Sequence, residues 1–251
     1  MRLGELFESS GPSLAGSYTP DLVFSKLWLA QELKQVLQQQ GIDSVPVAYI
    51  LGSWYSNLST ILRRTDVPIE KIIDVEQRGE WLQMGRQLQQ DMGIQGVQHM
   101  QADANRIDYR QLEQPGVVIN TSTNDIADHG WFDHIPEGTI VVLQGRDRVA
   151  KGAEHTYDSP AEMLEMFPLE TVLYSGTWHL EDPETQYQRS MAIGIKGREP
   201  LRELQFLGST CTKDCSGHRA GYEWSKRKGL VHAASWSPSF NKGAALAVAG
   251  L

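Results

Sequence analysis

A chain of 251 residues with 40% hydrophobic content can fill the core of one large domain plus a small appendage, and it contains no run near the roughly 20 apolar residues that cross a bilayer. Its net charge of −8 argues against a general polyanion binder, and its two cysteines, Cys211 and Cys215, exclude a disulfide scaffold for the body. The first residues lack the basic-then-apolar layout of a secretion signal, so a cytoplasmic location without a membrane partner is expected.

Residues 1–18 are rich in Gly and Ser and read as a flexible arm. "TPDLVFSKLWLAQELKQVLQQQG" follows as a helix: Thr19 can cap it, Pro20 suits the first turn, and Leu22, Leu29, Leu33 and Val36 fall near one face before Gly41. A strand–helix rhythm then begins. "VAYIL" (47–51), "KIIDV" (71–75), "GVQHM" (96–100), "GVVINT" (116–121) and "TIVVLQ" (139–144) are short apolar runs, and each gap between them has room for a crossover helix. "SPAEMLEMF" (159–167) carries a capping box in Ser159 and Glu162. "ETVLYSG" (170–176) and "YQRSMAIGIKG" (187–197) are joined by a link too short for a helix, and therefore pair antiparallel. The pattern predicts an α/β fold with a Rossmann-like, mostly parallel seven-stranded sheet over residues 19–197.

Ligands of such sheets sit beyond the carboxyl ends of the strands. At the first of these ends, Gly52 permits a tight turn into a helix whose N–H groups face the crevice from about Ser56. About 20 residues later the second strand ends Asp74-Val75-Glu76, where a carboxylate is placed to accept from two ribose hydroxyls. Alternation puts Asp74 and Glu76 on one face. Asp103, after the third strand, is an acceptor for an adenine amino group.

This constellation resembles the class I S-adenosylmethionine-dependent methyltransferases over residues 45–197. "YILGSWYSNL" is similar to the glycine loop, "IIDVE" to the ribose-binding acid, "QADA" to the adenine-side acid and "VVINTSTND" to the segment under the transferred methyl. The resemblance implies S-adenosylmethionine as cofactor, held by Gly52, Ser53, Trp54, Tyr55, Asp74, Glu76 and Asp103, and a methyl acceptor that the body's negative charge favours as a small molecule. The loop departs from the family in having one glycine, and the Asp/Asn-Pro-Pro-aromatic motif of base amino methylation is replaced by Asn120-Thr121-Ser122-Thr123. An aromatic ring attracts a sulfonium, so Trp54 or Tyr55 can flank the cofactor; the alternative is that the pair packs under the first helix, which carries Trp28. Asn120, Asp125 and His129 are the catalytic candidates, with His134 a further base and Gln144 and Arg146 possible anchors for an acceptor's carboxylate or phosphate.

Residues 198–251 form a different unit, with 8 basic and 4 acidic side chains against 15 and 27 in residues 1–197. "CTKDCSGHRAGY" and "SPSFNKGA" resemble modules appended to bacteriophage proteins, which would place the protein in a host cytoplasm. Cys211, Cys215 and His218, with His232, make a zinc-like array, but the spacing is not that of a standard finger; buried thiols or a local disulfide are the simpler reading, and no metal is assigned. Tyr222, Trp224 and Trp236 interleave with Lys226, Arg227 and Lys228, so this basic module is also a possible contact for nucleic acid or a partner protein. A non-catalytic binding or phage assembly protein is therefore the alternative to an enzyme.

Overall fold

The computed structural model describes residues 18–126, 129–147, 155–182, 185–197, 205–206, 209–210, 216–235 and 237–250. The expected arm, apart from Tyr18, lies outside them, as do Cys211, Cys215 and Trp236. The chain divides into two compact units, residues 1–198 and 199–251.

The first unit runs α1 (Pro20–Gln39), β1 (Val45–Leu51), α2 (Asn57–Arg64), β2 (Ile69–Glu76), α3 (Gly79–Asp91), β3 (Val97–Gln101), a 3₁₀ turn (Ala104–Arg106), β4 (Val117–Asn120), α4 (Gly130–Asp133), β5 (Ile140–Arg146), α5 (Pro160–Met166), β6 (Thr171–Asp182) and β7 (Thr185–Ile195). The seven strands form one sheet in the order β3-β2-β1-β4-β5-β7-β6. β1 through β5 are mutually parallel, and β7 runs antiparallel to both β5 and β6. The predicted α/β class, the Rossmann-like, mostly parallel seven-stranded sheet and its inverted last strand are all present. Strand order reverses between β1 and β4, which opens the crevice at their carboxyl ends.

Period-two alternation sorts each strand between two cores. Ala48, Ile50, Ile72, Ile119, Val142, Met191 and Ile193 pack with Leu29, Leu33 and Leu37 of α1 and Leu58 and Leu62 of α2. Tyr49, Leu51, Ile73, Val118, Val141 and Ala192 pack with Trp131 and Phe132 of α4 and Met163 and Phe167 at α5. Both faces are covered, as a parallel sheet requires. Pro20 occupies the first turn of α1, but Thr19 makes no side-chain cap there. Half of the capping box of α5 forms: Glu162 N–H donates to Ser159 Oγ at 3.2 Å, while Glu162 Oε2 accepts from Asp158 N–H, one residue before the cap.

The second unit contains the short pair β8 (Gln205–Phe206) and β9 (Ser209–Thr210) and two helices, α6 (Ser216–Arg227) and α7 (Pro238–Val248). Gly221 and Gly243 allow the helices to touch: a Cβ at Gly221 would overlap the carbonyl of Phe240, and one at Gly243 the carbonyl of His218. His218 is buried, with Nε2 at 3.4 Å from Ser209 Oγ. Among the described residues no group of three His, Cys, Asp or Glu side chains could hold a metal.

Candidate functional site

The loop after β1 has an unusual backbone. Gly52, Trp54 and Ser56 all sit at positive φ, at 60°, 54° and 59°. Alternate left-handed residues are normally a glycine privilege, and a tryptophan there costs of order 1–3 kcal/mol. The chain thus follows the path that three alternating glycines would take, with side chains at two of them. Ser53 N–H donates to the carbonyl of Val75, tying the loop to the end of β2. A Cβ on Gly52 would meet Ser122 Oγ at 2.7 Å, so glycine is required there for the segment after β4 to close in.

Glu76 faces that loop. Its Oε2 accepts from Trp54 N–H at 3.0 Å and its Oε1 from Arg78 N–H at 3.0 Å. A carboxylate offers about four acceptor positions, so one remains on each oxygen. Asp74, expected to share this duty, does not reach the crevice. It is fully buried, and its Oδ2 accepts from Ser59 Oγ at 2.6 Å on the α2 side. Burial pushes its carboxyl up to about 7, against the opposing pull of the Ser59 and Ser56 hydroxyls. Gln89 of α3 completes this pocket of polar groups through its donation to Ser59 Oγ at 2.8 Å.

Trp54 and Tyr55 do not pack against Trp28. Their rings lie 5.8 and 5.7 Å from Trp81 of α3 and 5.3 Å from one another, and the Arg78 guanidinium sits 4.1 Å over Trp81. Trp28 instead meets Tyr174 and Trp178 of β6. Tyr55 is 1% exposed, and is therefore core rather than a face toward a ligand. Asp103 caps the 3₁₀ turn through Asn105 N–H and lies 3.6 Å from Arg106 Nε.

Asn120 closes β4 fully buried; its Oδ1 accepts from Ser122 N–H at 2.8 Å, while its amide nitrogen has no partner. With the oxygen engaged, Asn120 is a donor and not a base. Asp125 is held by Arg146 Nη2 at 3.1 Å. The His129 ring lies 5.0 Å from that of Phe167 beside α4, and His129 is not among the residues that line the crevice cavity.

That cavity measures about 80 Å³ and is bounded by the loop residues Gly52, Ser53 and Trp54, by Ser122 and Asp125, and by Lys26, Arg146 and Arg189. Neither Lys26 nor Arg189 belongs to a sequence motif, yet a signal exists: Lys26 falls on the apolar face of α1, between Leu22 and Leu29.

No family model and no curated protein matches the chain. Among solved structures, YcgJ from Bacillus subtilis superposes with a TM-score of 0.50 at 9% identity, over 67% of this chain and 99% of that one. The likeness is one of fold. A magnesium protoporphyrin IX methyltransferase from Synechocystis with bound S-adenosylhomocysteine gives 0.47 at 11% identity, over 67% and 82% of the two chains, and an rRNA methylase from Streptococcus thermophilus 0.45 at 15%, over 68% and 95%.

Three features suit a nucleoside cofactor, namely the residual acceptor positions of Glu76, the left-handed loop and the unpartnered Asn120 amide, but Glu76 and Asn120 are buried beside the cavity and do not line it. The open volume is smaller than the roughly 300–1,000 Å³ of ordinary ligand pockets. The Trp54 side chain, standing where the pattern has glycine, takes part of the space.

Proposed function

We propose that the chain is a class I S-adenosylmethionine-dependent methyltransferase with a small-molecule acceptor. The observation that carries this reading is the Trp54 N–H to Glu76 Oε2 bond, which holds a loop with the backbone path of three alternating glycines against the one carboxylate that closes β2 toward it. In this reading Glu76 receives the ribose hydroxyls, Asp103 lies on the adenine side, and the loop at 52–54 and the Asn120 amide hold the amino-acid end. S-adenosylmethionine supplies a methyl group on a sulfonium. The protein's part is alignment of the acceptor for in-line displacement, worth roughly 7–11 kcal/mol in favourable cases. Asp125 is the crevice carboxylate that can take a proton from the acceptor, and Arg146 keeps it in place. Entry of the cofactor requires Trp54 to swing away from Trp81, since the closed crevice is too small.

The test separates the two acids of β2. Glu76→Gln is expected to weaken binding of S-adenosylmethionine by at least about tenfold, or roughly 1.4 kcal/mol, while Asp74→Asn leaves it within a factor of about three. Equal loss in both, with both variants folded by circular dichroism, would sink the assignment of Glu76.

The small crevice also favours a second reading. With Trp54 and Ser56 at glycine positions, the body could be a Rossmann-like binding or phage assembly protein without a cofactor, whose basic C-terminal unit contacts a partner or nucleic acid through the exposed Lys226, Arg227 and Lys228. Binding of neither S-adenosylmethionine nor S-adenosylhomocysteine, together with salt-sensitive binding of a single-stranded oligonucleotide, would favour it.

A further inference from the structure

The cavity beside Gly52 gathers three cations. Arg146 ends β5, and its register partner across the antiparallel pair is Arg189 of β7, so two arginines stand directly opposite one another. Like charges in that relation are destabilising. Lys26 of α1 reaches the same cavity at 5% exposure. Its partner is neutral: Nζ donates to Gln144 Oε1 at 3.0 Å, and Gln144 Nε2 in turn donates to the carbonyl of Ser25. Among the described residues no carboxylate pairs with Lys26, and the single acid lining the cavity, Asp125, already bonds Arg146 Nη2. Arg146 Nε is itself buried without a partner, as is the hydroxyl of Ser53 in the same lining.

Such an arrangement is costly for a protein to keep. A buried ammonium without a counter-ion carries a desolvation penalty of several kcal/mol, and here two guanidinium groups add repulsion. Burial first, then Arg189 and Arg146, push the Lys26 ammonium well below the usual lysine range. Apolar replacement would be the easier solution for a group that only packs, because Lys26 lies on the face of α1 whose other members, Leu29 and Leu33, are fully buried.

We propose that this cavity is an oxyanion site, in which Lys26, Arg146 and Arg189 receive one carboxylate or phosphate group of a ligand. Its volume of about 80 Å³ suits a single such group and not a nucleoside. The oxyanion has two possible sources, the acceptor molecule and the amino-acid carboxylate of the cofactor. The choice between them rests on the methyltransferase reading, whereas the site itself does not.

Thermal melting and calorimetry of the full chain with inorganic phosphate test the site directly. Phosphate at millimolar concentration is expected to raise the melting temperature of the wild type, and Lys26→Met to weaken its binding at least tenfold. Lys26→Met is also expected to melt at or above the wild-type temperature in phosphate-free buffer, because it removes a buried amine beside two guanidinium groups; a purely structural lysine would give a loss. No phosphate effect on the folded wild type, or an undiminished effect in both Lys26→Met and Arg146→Met, would overturn the proposal. A second arm identifies the source. If Lys26→Met weakens S-adenosylmethionine but not 5′-methylthioadenosine, which lacks the carboxylate, the group is the cofactor's; if it weakens neither while phosphate binding falls, the group is the acceptor's. Phosphate binding without binding of either nucleoside would refute the methyltransferase reading and leave the oxyanion site standing.

Discussion

At the scale of single residues, the two acids of β2 show how one turn of a hydroxyl network decides a role. Asp74 and Glu76 are two positions apart on a strand, yet Glu76 is bonded by backbone N–H groups at the crevice while Asp74 is sealed beneath α2 by Ser59. Alternation alone gives them a common face; it does not say that α2 and α3 cover one and leave the other at the rim. Because burial raises the Asp74 carboxyl to about 7 from an unfolded value near 3.8, the folded state holds a proton that the unfolded state has lost between those values. Stability from this group is fully present below about pH 4 and is lost as pH rises through 7. Asp74→Asn is therefore expected to flatten the fall in melting temperature between pH 5 and 8 relative to wild type, and parallel pH profiles would contradict the assignment. Trp54 teaches a related lesson. The sequence shows one glycine where a three-glycine loop is expected, but the backbone at 54 and 56 adopts the left-handed conformation regardless. The loop is tied to the end of β2 by the Ser53 N–H bond to Val75 and the Trp54 N–H bond to Glu76, so residue identity alone does not set its backbone.

At the scale of elements, the strands were legible because each is a short apolar run ended by Gly, Pro or polar residues, and the antiparallel β6–β7 pair was legible from the brevity of its link. α1 was legible from its 3.6-residue period, but the same period hid Lys26: a lysine between leucines reads as an interruption until β5 and β7 bring Gln144, Arg146 and Arg189 to that face. His129 is near Asp125 in sequence, but its ring lies against Phe167 beside α4 and it is not among the residues lining the cavity. In the second unit the pairing of α6 and α7 depends on two glycines at their contact. Gly243→Ala places a methyl group into the His218 carbonyl, and the expected result is loss of the helix pair, seen as rapid protease cleavage within residues 216–250 while the first unit stays resistant. Wild-type resistance throughout would show that the helices can move apart at little cost.

At the scale of the whole molecule, the body is a negatively charged α/β unit whose crevice carries local positive charge, and the chain adds a separate basic unit. Long-range charge disfavours a polyanionic acceptor for the body, while the Lys26 and Arg146 cavity favours a small acidic one. The identity of a ligand was the least legible, because a ligand is chosen by a few side chains converging from distant parts of the chain. The most decisive measurement is a calorimetric titration of the 251-residue chain with S-adenosylhomocysteine. Saturable binding is expected, with one ligand per chain and a dissociation constant at or below about 1 mM, the upper end of usual enzyme affinities. Absence of any binding heat at several millimolar ligand, from protein that melts cooperatively, would contradict it.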